Sequence, residues 1–292
     1  MKHLCTLSDI NYLGRGLALY ESLKVTCQSE FQLYYLCLDQ ASFDKLSAIN
    51  LPQLVPHLLA NLENNDSNLQ VARNNRPYNE YCWTLASYYS QYLLPEYPHI
   101  TYLDSDLYFY ADIDIIYKEI GEKSVGIIAH RHNSVGDRDG AYNVGVVYFR
   151  NNKIGRETLN WWADAVLHKK YPELQTCGDQ KYLEEFIPRF GEENICVANK
   201  TFGHGAPWNF RLYTYDQYDK TGMIGWGGTV QPLVFNHFSR FSYDVNTGSI
   251  DFTSGKFMDH TLNGAIFNIP QVYKFYVQYY TALKTVHKNY LL

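Results

Sequence analysis

Asp104 and Asp106 stand one residue apart, directly after the apolar run Ile100-Thr101-Tyr102-Leu103. Two carboxylates at that spacing can approach one divalent cation, because Mg²⁺ and Mn²⁺ are hard ions that take oxygen ligands and keep positions open for phosphate. A cation held there would meet the charge that develops on a diphosphate as its bond to a sugar breaks. Carboxylate pairs also cap helices and fill turns, so Asp104-Ser105-Asp106 is weak evidence alone. Its context strengthens it. A strand-like run ends at Asp104, and a second apolar run continues through Leu107-Tyr108-Phe109-Tyr110-Ala111 to Asp112.

The chain that must position this pair alternates apolar runs with amphipathic ones. Lys2–Leu7 reads as a strand, Gly14–Lys24 as a helix, Phe31–Leu38 as a second strand and Ser42–Ile49 as a short helix. A longer helix is expected over Asn79–Leu94, with Leu85, Tyr88, Tyr89 and Tyr92 on one face and Pro95 closing it. Strands separated by helices imply βαβ units and a parallel sheet. Ligands bind such sheets beyond the carboxyl ends of the strands, where Asp104 and Asp106 fall. Further on, Val125–Ala129, Gly145–Phe149 and Leu233–Phe238 read as strands, with a loop over His130–Asn143. Helices are expected over Glu157–Lys169, Asp179–Phe186 and Val272–Lys288, the last opened by Pro270 at a position that suits proline. No repeat, low-complexity tract or linker interrupts the sequence. One domain over 1–292 is expected, with a nucleotide-binding half (1–115), a donor and acceptor half (116–245) and a C-terminal helical extension (246–292).

Composition narrows the function classes. A net charge of −5 and the lack of any block of like charge argue against nucleic acid as a partner and leave at most a peripheral membrane contact. No run approaches the roughly 20 apolar residues of a membrane span, and no signal peptide is written, so a cytoplasmic protein is expected, with any membrane contact at the inner face. The six cysteines form no C-x-x-C pair, which fits buried free thiols in a reducing compartment. Tyrosine is abundant, at 27 residues, and its flat face and hydroxyl suit sugars and nucleobases. Most of these tyrosines are nonetheless expected in or beside the core.

Around the carboxylate pair, Tyr102-Leu103-Asp104-Ser105-Asp106 with Asp112-Ile113 resembles the metal motif of GT-A nucleotide-diphospho-sugar transferases, particularly those similar to glycosyltransferase family 8. Further matches follow in order: Gly140-Ala141-Tyr142-Asn143-Val144-Gly145, Gly178-Asp179-Gln180-Lys181-Tyr182-Leu183, Ala206-Pro207-Trp208-Asn209 and Phe235-Asn236-His237-Phe238. The resemblance covers about residues 4 to 240. It implies an α/β, GT-A (Rossmann-like) single domain with a mixed, mostly parallel central sheet flanked by helices. It also implies a transferase that moves a sugar from a nucleotide-sugar donor, a UDP-sugar, to a glycan or glycolipid acceptor with retention.

By position, the resemblance makes Asp104, Asp106 and His237 the metal ligands. A neutral imidazole is a better ligand for Mn²⁺ than for Mg²⁺, which favours Mn²⁺. Thr6, Leu7 and Ser8 would border the nucleotide, with Tyr12 stacked on the base; Ser8 could equally cap the following helix. Asn143, Asp179 and Gln180 would surround the donor sugar, although Asp179 also fits a helix N-cap. Ser105 and Thr84 belong to the donor site by the same comparison. Arg131 is a candidate phosphate contact, and Trp208 with Asn209 a candidate acceptor platform. The sequence departs from the family at Thr84, near which an arginine is usual, and after His237, where Phe238-Ser239-Arg240 replaces the usual Gly and Lys. Arg240 could supply the missing charge. Two rivals stay open: a sugar-phosphate nucleotidyltransferase, against which the poorly basic Ser8–Gly16 segment argues, and an inactive nucleotide-sugar-binding protein.

Overall fold

A computed structural model describes residues 1–131, 140–239, 241 and 268–292, without the side chains of 175–177. Its strands are β1 (Lys2–Ser8), β2 (Phe31–Cys37), β3 (Leu54–Leu58), β4 (His99–Leu103), β5 (Leu107–Phe109), β6 (Val125–Ala129), β7 (Tyr142–Arg150), β8 (Ile195–Ala198), β9 (Gly203–Gly205), β10 (Met223–Trp226) and β11 (Thr229–His237). The helices are α1 (Leu13–Thr26), α2 (Gln40–Ile49), α3 (Leu59–Asn65), α4 (Ser67–Asn74), α5 (Tyr78–Leu93), α6 (Asp114–Ile120), α7 (Lys153–Leu167), α8 (Phe186–Phe190), α9 (Tyr218–Thr221) and α10 (Pro270–Val286).

Seven strands form the main sheet in the order β3-β2-β1-β4-β7-β6-β8. All run parallel except β7, which pairs antiparallel with both β4 and β6. This is the mixed, mostly parallel α/β sheet that the sequence implied. Buried on both faces, its strands read as nearly continuous apolar runs. Period-2 alternation still sorts their side chains. Leu4, Leu33 and Tyr35 join the core under α1, α6 and α10, whereas Cys5, Leu7, Tyr34 and Leu36 face the core under α5 and α7.

A smaller sheet, β10-β11-β5 with β9 beside β11, packs on the α1 and α10 side. Its position follows from the connection between β4 and β5. The main-sheet strand ends at Leu103, the chain turns through residues 104–106, and Leu107 already belongs to the small sheet. The two carboxylates of the sequence motif therefore sit on the hinge between the sheets.

Three expected elements are shifted. The helix expected over Asp179–Phe186 is instead a 3₁₀ segment, Lys181–Glu185, followed by the short α8. The buried stripe of α5 runs through Tyr81, Thr84, Leu85 and Tyr89, leaving Tyr92 exposed at 53%. Ser8 caps nothing: its hydroxyl donates to the Asp9 carbonyl at 3.0 Å and pairs with the Tyr35 hydroxyl at 2.6 Å. Asp9 instead accepts the Asn11 and Tyr12 amides ahead of α1, at 3.0 and 3.1 Å. Cys5, Cys27, Cys37, Cys82 and Cys196 are free thiols, the first and third of them buried. Among the described residues no helix is long and apolar enough to cross a membrane.

Candidate active site

The register of the small sheet builds the site. β11 runs antiparallel to β5 with His237 opposite Leu107, so the imidazole arrives beside the residue that precedes Leu107. The Phe238 amide donates to the Asp106 carbonyl at 3.0 Å and locks this approach. On the other side the Asp104 amide donates to the Gly145 carbonyl of β7, also at 3.0 Å. His237 Nε2 consequently lies 3.0 Å from Asp106 Oδ1 and 3.6 Å from Asp104 Oδ2. The three ligand atoms fall within 4.8 Å of one another.

This donor set fits a divalent cation of the Mn²⁺ or Mg²⁺ kind. Neighbouring ligand atoms around an octahedral ion with bonds of about 2.1 Å are about 3 Å apart, close to the spacing found here. His237 Nδ1 lies 3.3 Å from Asn143 Oδ1. A proton on Nδ1 directed at that oxygen leaves the Nε2 lone pair for a metal. Gly145 makes room for the arrangement, since a Cβ there would lie 2.6 Å from Asn143 Oδ1 and 3.1 Å from His237 Nδ1.

Without a cation the three groups share positive charge through the imidazole. Burial opposes ionisation of His237, but the charges of Asp106 and Asp104 outweigh it and raise its pKa. Burial likewise opposes the Asp106 carboxylate; His237 prevails with help from Arg15, and the carboxyl titrates below its usual range. Asp104 goes the other way, raised by burial and by Asp106 despite His237 and a hydrogen bond from the Tyr102 hydroxyl at 2.9 Å. Two adjacent carboxylates held this closely cannot both be fully ionised without a counter-charge.

The triad opens on a cavity of about 570 Å³. Leu7, Ser8, Asp9, Tyr12 and Tyr78 line it, together with Ser105, Asn143, Asp179, Gln180, Trp208 and Ser239. Gln180 accepts the Asn143 side-chain amide at 2.8 Å, so Asn143 is tied both to His237 and to the Asp179-Gln180 turn. Asp179 is 5% exposed, and its Oδ2 has no hydrogen-bond partner. Burial and the nearby Asp104 push its carboxyl well above the usual range. It makes no helix cap. The turn before it depends on Gly178 at φ +63°, whose backbone lies so close to the Trp83 ring that a Cβ would come within 2.5 Å of it.

Several expected site residues lie elsewhere. Thr84 is 1% exposed and faces the core; its hydroxyl donates to Glu80 and accepts from Arg76 Nη1 at 2.7 Å. Thr6 is fully buried behind the cavity wall and does not line it. Arg131 is no phosphate ligand. Its guanidinium is buried against Trp226 at 4.0 Å and donates to the Tyr213 hydroxyl and to the carbonyls of Asn199 and Phe202. Asn209 is fully buried and accepts the Ala206 amide at 2.7 Å, so of the expected acceptor pair Trp208 alone reaches the cavity. Arg240 lies outside the described residues. The sequence reasoning missed Tyr78, Cys82 and Trp83, which line the cavity from α5, the last of them one residue before Thr84.

No family model matches the chain. Among curated proteins it is similar to two from Bacillus subtilis, both described as uncharacterized. It is 30% identical to YfnF over 252 residues, 81% of this chain and 80% of that one, and 29% identical to YfnD over 251 residues, 82% and 78%. Among solved structures it resembles the galactosyltransferase LgtC in complex with donor and acceptor sugar analogues, at a TM-score of 0.56 and 17% identity over 81% of this chain and 87% of that one. Mouse xyloside xylosyltransferase 1 superimposes at a TM-score of 0.54 with 16% identity over 82% and 97%. The Asp104-Asp106-His237 group occupies the hinge between the two sheets of this common fold, and the chain belongs to the family of Bacillus subtilis YfnF, built on the GT-A fold of glycosyltransferases similar to family 8.

Proposed function

We propose that the protein is a metal-dependent glycosyltransferase that takes a UDP-sugar and transfers the sugar, with retention, to a glycan or glycolipid acceptor. The observation that carries this reading is the convergence of Asp104, Asp106 and His237 on the wall of a cavity bordered by Tyr12 and Ser8 on one side and Trp208 on another. A divalent cation, Mn²⁺ by the chemistry of the donor set, would supply positive charge for the departing diphosphate.

The chain's own residues do the rest. Tyr12 offers an exposed aromatic face to the base, and Leu7 and Ser8 border the ribose. Gln180 and Asn143 hold each other and orient toward the donor sugar, where Asp179 presents its unpartnered Oδ2. Burial and the nearby Asp104 favour the protonated form of Asp179, and a protonated carboxyl can donate a hydrogen bond to a sugar oxygen. Trp208 supplies a flat apolar face for the acceptor ring. In the same-face displacement the bond from the anomeric carbon to the diphosphate breaks as the bond to the acceptor oxygen forms. The acceptor proton passes to the leaving phosphate oxygen, so no protein base is required.

The test is a panel of nucleotide sugars with Mn²⁺, scored by slow donor hydrolysis and by melting shift. UDP-sugars should stand out, and anomer-resolved analysis should show retention. Stabilisation by UDP and Mn²⁺ without hydrolysis or transfer would identify a nucleotide-sugar-binding protein instead, and an inverted product would remove the same-face mechanism.

A further inference from the structure

Arg15 is a nearly buried cation at an unusual place in the fold. It lies in the first turn of α1, where the helix dipole disfavours positive charge, and it is only 8% exposed. Contacts with described residues help to offset that cost. Its guanidinium carbon lies 4.0 Å from the centre of the Tyr12 ring, and Nη2 donates to the Phe241 carbonyl at 2.6 Å across 226 residues of sequence. Tyr12 itself is 43% exposed and lines the cavity. One side of the ring is therefore backed by a fixed cation, and the rest is free to meet a ligand.

We propose that Arg15 is a positioning residue for nucleobase binding: clamped to the Phe241 carbonyl, it holds the Tyr12 ring in its stacking orientation before the base arrives. The inference rests on the reading of Tyr12 as the base platform. An exposed tyrosine ring otherwise samples several rotamers, and ordering it on binding weakens affinity. A planar guanidinium can stack and donate a hydrogen bond at once, which an ammonium on a flexible stem cannot do. Arg15 does not line the cavity, so its contact with a bound base runs through Tyr12, while its charge also favours the Asp106 carboxylate from a distance.

Calorimetry with two probes separates these roles: UDP, which has a base, and inorganic pyrophosphate, which has none, each with saturating Mn²⁺. Arg15→Gln should weaken UDP about tenfold, within the range of one cation–π contact, and leave pyrophosphate within twofold of wild type. Arg15→Lys should recover less than half of the UDP loss. In a Tyr12→Ala background Arg15→Gln should add less than about twofold, because both changes remove the same platform. Equal losses for UDP and pyrophosphate would make Arg15 a phosphate ligand and overturn the proposal, as would unchanged UDP affinity or additive losses. Should Arg15→Gln fail to fold, Arg15→Lys decides by the same comparison. Wild-type protein that does not bind UDP with Mn²⁺ removes the proposed nucleotide site and this inference together, whereas normal wild-type binding with indifferent variants removes the inference alone.

Discussion

Replacing Asp106 with asparagine tests the centre of the site most directly. The amide has nearly the same shape, so the change removes charge and little else. With an effective dielectric of about 20, the imidazolium of His237 attracts each carboxylate by about 5 kcal/mol at the observed 3.0 and 3.6 Å, while the two carboxylates, no more than 4.8 Å apart, repel by at least about 3.5 kcal/mol. The triad is thus favourable only with a positive charge in its midst, whether a proton on His237 or a metal. In the metal-free protein Asp106→Asn loses the closer attraction and is relieved of the repulsion, a net cost of about 1 to 2 kcal/mol. Toward a dication the balance is far worse, because one of two anionic ligands is gone; a loss of at least 100-fold, about 3 kcal/mol, is expected. The assay is a melting curve with Mn²⁺ at a hundred times the wild-type dissociation constant. Wild type should gain about 2.7 kcal/mol and the variant about 0.4 kcal/mol, so the wild-type rise of about 4 to 5 °C should shrink to about 1 °C or less. A variant that keeps the full Mn²⁺-dependent rise would show that the cation does not sit on this triad.

Three further outcomes are expected. Gly178→Ala puts a Cβ against Trp83 at φ +63°, so it should cost about 2 kcal/mol, lower the melting point and slow donor hydrolysis by moving Asp179; an unaltered melting point would contradict the strained turn. Arg131→Met should destabilise by about 3 kcal/mol, since it leaves the Asn199 and Phe202 carbonyls without their donor, while UDP affinity stays at the wild-type value; a selective loss of UDP binding would restore Arg131 as a phosphate ligand. His99 is lowered to about 4 by burial and by the neighbouring His3 and Lys2. Its neutral form is the folded one, so its contribution is complete above the ordinary value of 6.5 and is lost as pH falls from there through about 4, up to about 3 kcal/mol. Urea titrations of His99→Gln should show a flatter loss of stability across that window, and an identical slope would refute the assignment.

How much of this could be read beforehand depends on whether a residue's place follows from local pattern. Asp104 and Asp106 were legible because a strand ending in carboxylates is a short-range signal. A parallel sheet followed from the alternation of strands and helices, whereas its mixed character came from the resemblance, because the reversed direction of β7 has no local mark. His237 needed the resemblance: nothing near it in sequence says that β11 pairs with β5 in the register that delivers it to Asp106. Thr84 failed for a different reason. Successive helix residues differ by about 100° in direction, so a one-residue error of phase puts a hydroxyl in the core and hides Trp83, which reaches the cavity. Arg131 adopts φ +54°, a conformation an arginine rarely takes, and that turn directs the guanidinium inward to carbonyls over 60 residues away.

The position of the metal group on the hinge between two sheets ties its chemistry to its folding. Asp104 is held by Gly145 and belongs to the main sheet; Asp106 and His237 are held together by β5 and β11 and belong to the small one. Neither sheet alone presents enough ligands for a divalent ion, and in an unfolded chain the three are not assembled. A cation bound here therefore favours the docked arrangement of the sheets with its whole binding free energy. The same docking sets the cavity, because Ser8 and Tyr12 follow β1 of the main sheet while Ser239 follows β11. Among the described residues that line the cavity there is no lysine or arginine, yet Asp9, Asp104, Asp106 and Asp179 are present. On the proposed function such a wall would repel a diphosphate until positive charge enters it, which would make metal binding, sheet docking and donor capture three consequences of one electrostatic requirement.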